Sequence, residues 1–82
     1  MAVDLSADAI AALHRKARRQ NDDLYTFLKR ELPDLGVEER LQTLAAVLND
    51  HLEEYRWEDD DELKDEGYIV KRFYPLPESH DA

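Results

Sequence analysis

The chain has no cysteine, only two glycines, three prolines and a single tryptophan. Without cysteine there is no disulfide to staple the fold, and no Cys/His spacing of a zinc module is present. The same absence fits a reducing compartment. With Gly36 and Gly67 as its only glycines, the chain has no glycine-rich loop to cradle a phosphate. No apolar run approaches the roughly 18 residues of a membrane helix. The opening Met1-Ala2-Val3-Asp4-Leu5-Ser6 lacks the pattern of a secretory signal. The expected location is the cytoplasm, with no membrane partner.

Basic residues are also scarce. Eleven Lys/Arg stand against 20 acids, for a net charge of −9. A field of that sign repels nucleic acid and anionic surfaces at long range and favours partners with a basic patch. The charge is unevenly spread. Residues 1–32 carry six bases and five acids, whereas residues 33–82 carry five bases and fifteen acids.

Eighty-two residues set one domain. A chain of this size buries only about 60–65% of its unfolded surface, so homodimerisation is the expected remedy.

Helical patterning dominates the first two thirds. Ser6 is a good N-cap, Asp8 suits the first turn, and Ile10, Leu13 and Ala17 recur at helical spacing. The pattern resumes at Leu24, Phe27, Leu28 and Leu32. Gln20-Asn21-Asp22-Asp23 lies between, and the helix either runs through it or restarts with Asn21 or Asp22 as a new cap. Pro33-Asp34-Leu35-Gly36 is the clearest break. The next helix opens on Glu38 and Glu39, with an apolar stripe of Val37, Leu41, Leu44, Ala45, Leu48, Leu52 and Tyr55.

Residues 58–66 are acidic at seven of nine positions. Tyr68-Ile69-Val70-Lys71-Arg72-Phe73-Tyr74 follows, the one strand-like segment, closed by Pro75 and Pro77. On this reading it is an unpaired extended arm that packs on the helices, pairs with a second copy or joins another protein's sheet. The expected fold is mainly α, a small antiparallel helical hairpin or three-helix bundle with an extended C-terminal arm. Residues 1–57 form the helical core, and residues 58–82 form an acidic link and arm packed on the same domain.

A continuous first helix would fold back on the next about the Pro33–Gly36 loop. That register sets Leu28 against Leu41, Leu24 against Ala45 and Ala17 against Leu52. It also sets Arg30 against Glu39, Arg19 against Asp50, Lys16 against Glu53 and Arg15 against Glu54. Base meets acid along the length, so the basic face is expected to be neutralised and the outside to be acidic.

Several chemical readings are tested and fail. A helix-turn-helix about Gly36 would put Glu38 and Glu39 where phosphates belong, and Glu31 and Gln42 in its core. A calcium loop begun at Asp59 places Leu63 and Lys64 at ligand and glycine positions, and one begun at Asp61 places Arg72 at the bidentate position. His14, His51 and His80 have no nucleophile at readable spacing. The sequence reading therefore assigns no catalytic residue, no cofactor site and no metal site, and the protein is not expected to be an enzyme.

What remains is a surface. Five of the seven aromatic residues, Tyr55, Trp57, Tyr68, Phe73 and Tyr74, fall around the acidic run. Aromatic anchors rimmed by charge suit protein recognition. Trp57, Glu58, Asp59, Asp60, Asp61, Tyr68, Phe73 and Tyr74 are the candidate partner-binding residues of a non-enzymatic regulatory module. One alternative is an acidic nucleic-acid mimic that occupies a basic groove, as an immunity, anti-restriction or anti-CRISPR-like inhibitor does. The other is RNA or DNA contact through Arg15, Lys16, Arg18 and Arg19, which the net charge disfavours.

Overall fold

The computed structural model describes residues 4–20 and 22–77, the side chain of Asp61 excepted. Its elements are α1 (Ala7–Arg18), α2 (Leu24–Glu31), α3 (Val37–His51), a 3-10 turn (Leu52–Glu54), β1 (Tyr55–Asp65) and β2 (Tyr68–Pro75). Three helices precede an antiparallel β-hairpin.

Ser6 starts α1 as its sequence predicts, its hydroxyl accepting the Ala9 N–H at 3.3 Å. The first helical stretch is not continuous. Asp23 is extended (φ −64°, ψ 157°) and caps α2, its carboxylate accepting the Thr26 N–H at 3.0 Å and the Thr26 hydroxyl at 2.7 Å. A capping carboxylate thus wins over the unbroken apolar spacing. Arg72 of β2 donates to the same carboxylate at 2.9 Å, so the cap also ties the hairpin to the helices.

The core draws Ile10 and Ala17 from α1, Leu24, Tyr25, Phe27 and Leu28 from α2, Leu44 and Val47 from α3, and Tyr55 and Val70 from the hairpin. The buried face of α3 is turned from the expected stripe. Arg40, Thr43, Leu44 and Val47 are buried, while Ala45 is exposed and Leu52 is 56% exposed. Arg40 causes the rotation. Its guanidinium lies inside, donating to Asp65 at 2.9 Å and to the Leu35 carbonyl at 2.7 Å. The Tyr25 hydroxyl completes the network, donating to Asp65 at 2.8 Å. A buried carboxylate needs such partners, since an unpaired charge away from water is costly.

Two expectations for the C-terminal third are corrected. The Tyr68–Tyr74 segment is not a lone arm, and the acidic run is not a link. All of that run but Glu66 lies within β1, and residues 62–65 pair with β2. Asp and Glu have poor strand propensity, but cross-strand pairing and the packing of Leu63, Asp65 and Val70 override it. Glu66 (φ 49°) and Gly67 (φ 88°) make the two-residue connection. Positive φ at both positions gives the turn whose twist matches the strands.

The ladder has one large irregularity. Trp57 pairs with Phe73, and the next pair is Glu62 with Lys71. Four residues of β1, 58–61, therefore face Arg72 alone, and the backbone bulges there.

The expected pairing of α1 with α3 also changes. Lys16 reaches Glu31 at 3.3 Å rather than Glu53, and Arg30 reaches Asp22 at 2.6 Å rather than Glu39. With the first stretch broken into two helices, the long antiparallel register has no basis. Among the described residues Arg15 and Arg19 are exposed and make no ion pair, while Arg18 meets Glu54 at 3.5 Å. No helix among the described residues is long and apolar enough to cross a membrane.

Candidate functional site

Two places in the molecule gather chemistry: the outer face of the hairpin, and a histidine-carboxylate cluster at the end of α3.

On the hairpin, Trp57 and Phe73 are cross-strand partners, with ring centroids 6.4 Å apart. Strand alternation puts Lys71 and Ile69 on the same face of β2 as Phe73. Lys71 confirms the placement, with its ammonium 5.6 Å from the Trp57 ring centroid and 3.2 Å from Glu62. Trp57 is 50% exposed and Ile69 65% exposed, so this face carries open apolar area. Beside it stands the acidic bulge. Glu58, Asp59 and Asp60 are exposed, and Lys71 donates to the Asp59 carbonyl at 2.8 Å, holding the bulge against the sheet.

The predicted partner-binding residues divide. Trp57, Glu58, Asp59 and Asp60 come together on or beside one face, and Phe73 shares it but is partly buried against the core. Tyr68 and Tyr74 lie on the opposite side of β2. Tyr68 donates to Glu38 at 3.5 Å, and Tyr74 sits under the Arg56 guanidinium at 4.7 Å. Of Asp61 only the backbone position in the bulge is described. Lys71 and Ile69 belong to the face but escape sequence reasoning, because they mark a face only once the register is known.

The basic positions of α1 face elsewhere. Arg15, Arg18 and Arg19 line a cleft of about 380 Å³ together with His14 and Glu54. Lys16 points to Glu31.

Two members of the cluster, His14 and Glu54, line that cleft, and His51 lines a second one beside Glu54. His14 projects from α1, His51 is the last residue of α3, and Glu54 ends the following turn. The two imidazoles stack with centroids 4.1 Å apart and planes 9° apart. Glu54 spans both rings, with Oε1 3.1 Å from His14 Nε2 and Oε2 2.8 Å from His51 Nδ1. The Tyr55 hydroxyl is 2.9 Å from His14 Nδ1. Burial pushes the His14 pKa below its ordinary value, outweighing the upward pull of Glu54. Glu54 is held below the usual carboxylate range, chiefly by its hydrogen bond with His51. Burial raises the Tyr55 phenol, so it stays protonated.

Sequence reasoning does not foresee that Arg18 and His51 both contact Glu54. It misses the cluster itself, because its three members come from separate elements. The adjacent Glu54-Tyr55 pair at the end of the α3 pattern is the only local sign. The chain matches no protein-family model, no curated protein and no solved structure.

Proposed function

We propose that the chain is a non-enzymatic interaction module that docks on a protein carrying a basic patch, using the outer face of its β-hairpin. One observation carries this reading: the exposed carboxylates of the bulge stand beside a half-exposed Trp57 on one rigid sheet. An aromatic anchor supplies apolar burial, and the flanking carboxylates supply charge complementarity and a fast encounter. The hairpin is fixed to the helices by Asp65 and Asp23, so the surface is pre-organised and little ordering entropy is lost on docking.

Affinity capture from host lysate with the wild-type chain and with Trp57→Ala combined with Asn/Gln at positions 58–60 tests the reading. The variant is expected to lose the partners that the wild type retains. If the same proteins are captured by both, the hairpin is not the docking surface. The same closely spaced carboxylates would serve a nucleic-acid mimic, and that case is distinguished by competition with DNA for the captured target.

A second reading rests on a different observation. Arg15 on α1 and Arg19 at its C-cap are exposed with no ion-pair partner among the described residues. Together with Lys16 and Arg18 they favour contact with RNA or DNA locally, against the net charge of the chain. A gel shift at low salt decides it, and no shift at micromolar protein removes it. The proposal takes the protein to be cytoplasmic and homodimeric. Sedimentation equilibrium tests the second point.

A further inference from the structure

His14 is 5% exposed, and its Nε2 is buried without a hydrogen bond of good geometry, although Glu54 Oε1 lies 3.1 Å away. One donor atom each from His14, His51 and Glu54 lie within 4.8 Å of one another. We propose that these three residues form a binding site for a single divalent transition-metal ion, zinc in the first instance.

The donor set selects the ion class. Two imidazole nitrogens and one carboxylate oxygen suit zinc and its neighbours, whereas calcium and magnesium prefer all-oxygen shells. The support for the donors is also present. The Tyr55 hydroxyl at His14 Nδ1 fixes the ring and accepts the Nδ1–H when Nε2 is the ligand. Three protein donors leave the remaining coordination positions open. His14 and Glu54 also line the cleft with Arg15, Arg18 and Arg19, which gives water or a small anion access to the shell.

One adjustment is required. An imidazole lone pair lies in the ring plane, and two rings stacked 4.1 Å apart cannot both aim at one ion. Metal–nitrogen distances near 2.0–2.1 Å demand that one ring turn. His51 is the mobile partner, with a side chain 22% exposed at the end of α3. Binding therefore breaks the stack. The affinity is reduced by the free energy of that rearrangement.

Zinc titration of the full chain by calorimetry, with NMR of the imidazole resonances, tests the site. One ion per chain is expected, with the His14 and His51 signals shifting together. His51→Ala and Glu54→Gln each weaken binding by about 10-fold or more, while both variants keep the wild-type circular dichroism. His80→Ala leaves the affinity unchanged, and a large excess of magnesium or calcium does not compete. Absence of stoichiometric binding overturns the proposal. So does an affinity untouched by His51→Ala, which would put the ion on the acidic bulge or the C-terminal tail.

Discussion

The acidic run holds two kinds of carboxylate. Asp65, at its end, is buried against Arg40 and Tyr25. Glu58, Asp59 and Asp60, at its beginning, stand in water on a bulge. Nothing in composition separates them, yet one fastens the hairpin to the helices and the others lie exposed, Glu58 beside Arg56 and Asp59 beside Lys71. The difference comes from pleat and register. Regular pairing from Glu62 to Asp65 turns alternate side chains onto α2 and α3, while the bulge releases four residues from that constraint.

Removing the buried partner is the most forceful way to break the comparison. Arg40→Met takes the buried cation from Asp65, which keeps only the Tyr25 hydroxyl and the exposed Lys29, and leaves the Leu35 carbonyl without its donor. The melting temperature is expected to fall by about 10 °C or more, because a buried carboxylate loses its buried counter-charge. Asp60→Asn on the bulge is expected to move it by no more than about 2–3 °C. Thermal unfolding followed by circular dichroism measures both. Equal shifts would mean that Asp65 is not structurally special.

Acid separates the same carboxylates. The Tyr25 hydroxyl, donating to Asp65, holds its carboxyl below the ordinary 3.8, with Lys29 and Arg40 acting in the same direction. The folded chain therefore binds this proton less readily than the unfolded chain. The stabilisation is complete above pH 3.8 and is lost as pH falls through the lower folded value. In denaturant melts between pH 7 and 3, wild type loses stability in the acid range. Asp65→Asn starts lower and loses less there, so the two curves converge on acidification. Parallel curves would remove Asp65 as the titrating contact.

Much of this was legible in the sequence, and what was not has physical causes. Ser6, the Pro33–Gly36 break and the strand character of Tyr68–Tyr74 are local signals, and all three hold. The restart of the helix at Asp23 was one of two open readings, displaced by one or two positions from the expected cap. Arg40 inside α3 was unreadable, because arginine is ordinarily a surface residue and its burial depends on Asp65, which is distant in sequence. The hairpin was missed because seven acids in nine positions argue against a strand. Glu66-Gly67 between the two segments was the available turn signal, weaker than the Asn-Gly form. The His14, His51 and Glu54 cluster joins α1 to the end of α3, a contact that no local spacing encodes.

A gentler change probes the network without stranding a charge. Tyr25→Phe removes one hydroxyl that donates to Asp65 and accepts from Arg40, while the ring stays in the core. Arg40 and Lys29 still satisfy the carboxylate. A loss of about 1 kcal/mol is expected in urea unfolding, with an unchanged m-value. A loss as large as that of Arg40→Met would mean the hydroxyl, and not the ion pair, holds the hairpin.

The smallest stability effect belongs to the bulge itself, and it sharpens the comparison most. Trp57 pairs with Phe73 and Glu62 with Lys71, so deletion of residues 59–61 leaves Glu58 opposite Arg72 and makes the ladder continuous. The exposed Asp59 and Asp60 go with the segment, and Lys71 loses the Asp59 carbonyl but keeps Glu62. The shortened chain is expected to fold with a melting temperature within a few degrees of wild type, because strand pairing replaces an irregular loop. Capture of the proposed partner is expected to fall to the level expected for the variant neutralised at positions 58–60. Retained capture would put recognition on Trp57 and the sheet face alone. A collapse in stability would show that the bulge, although exposed, is part of what holds the hairpin in register.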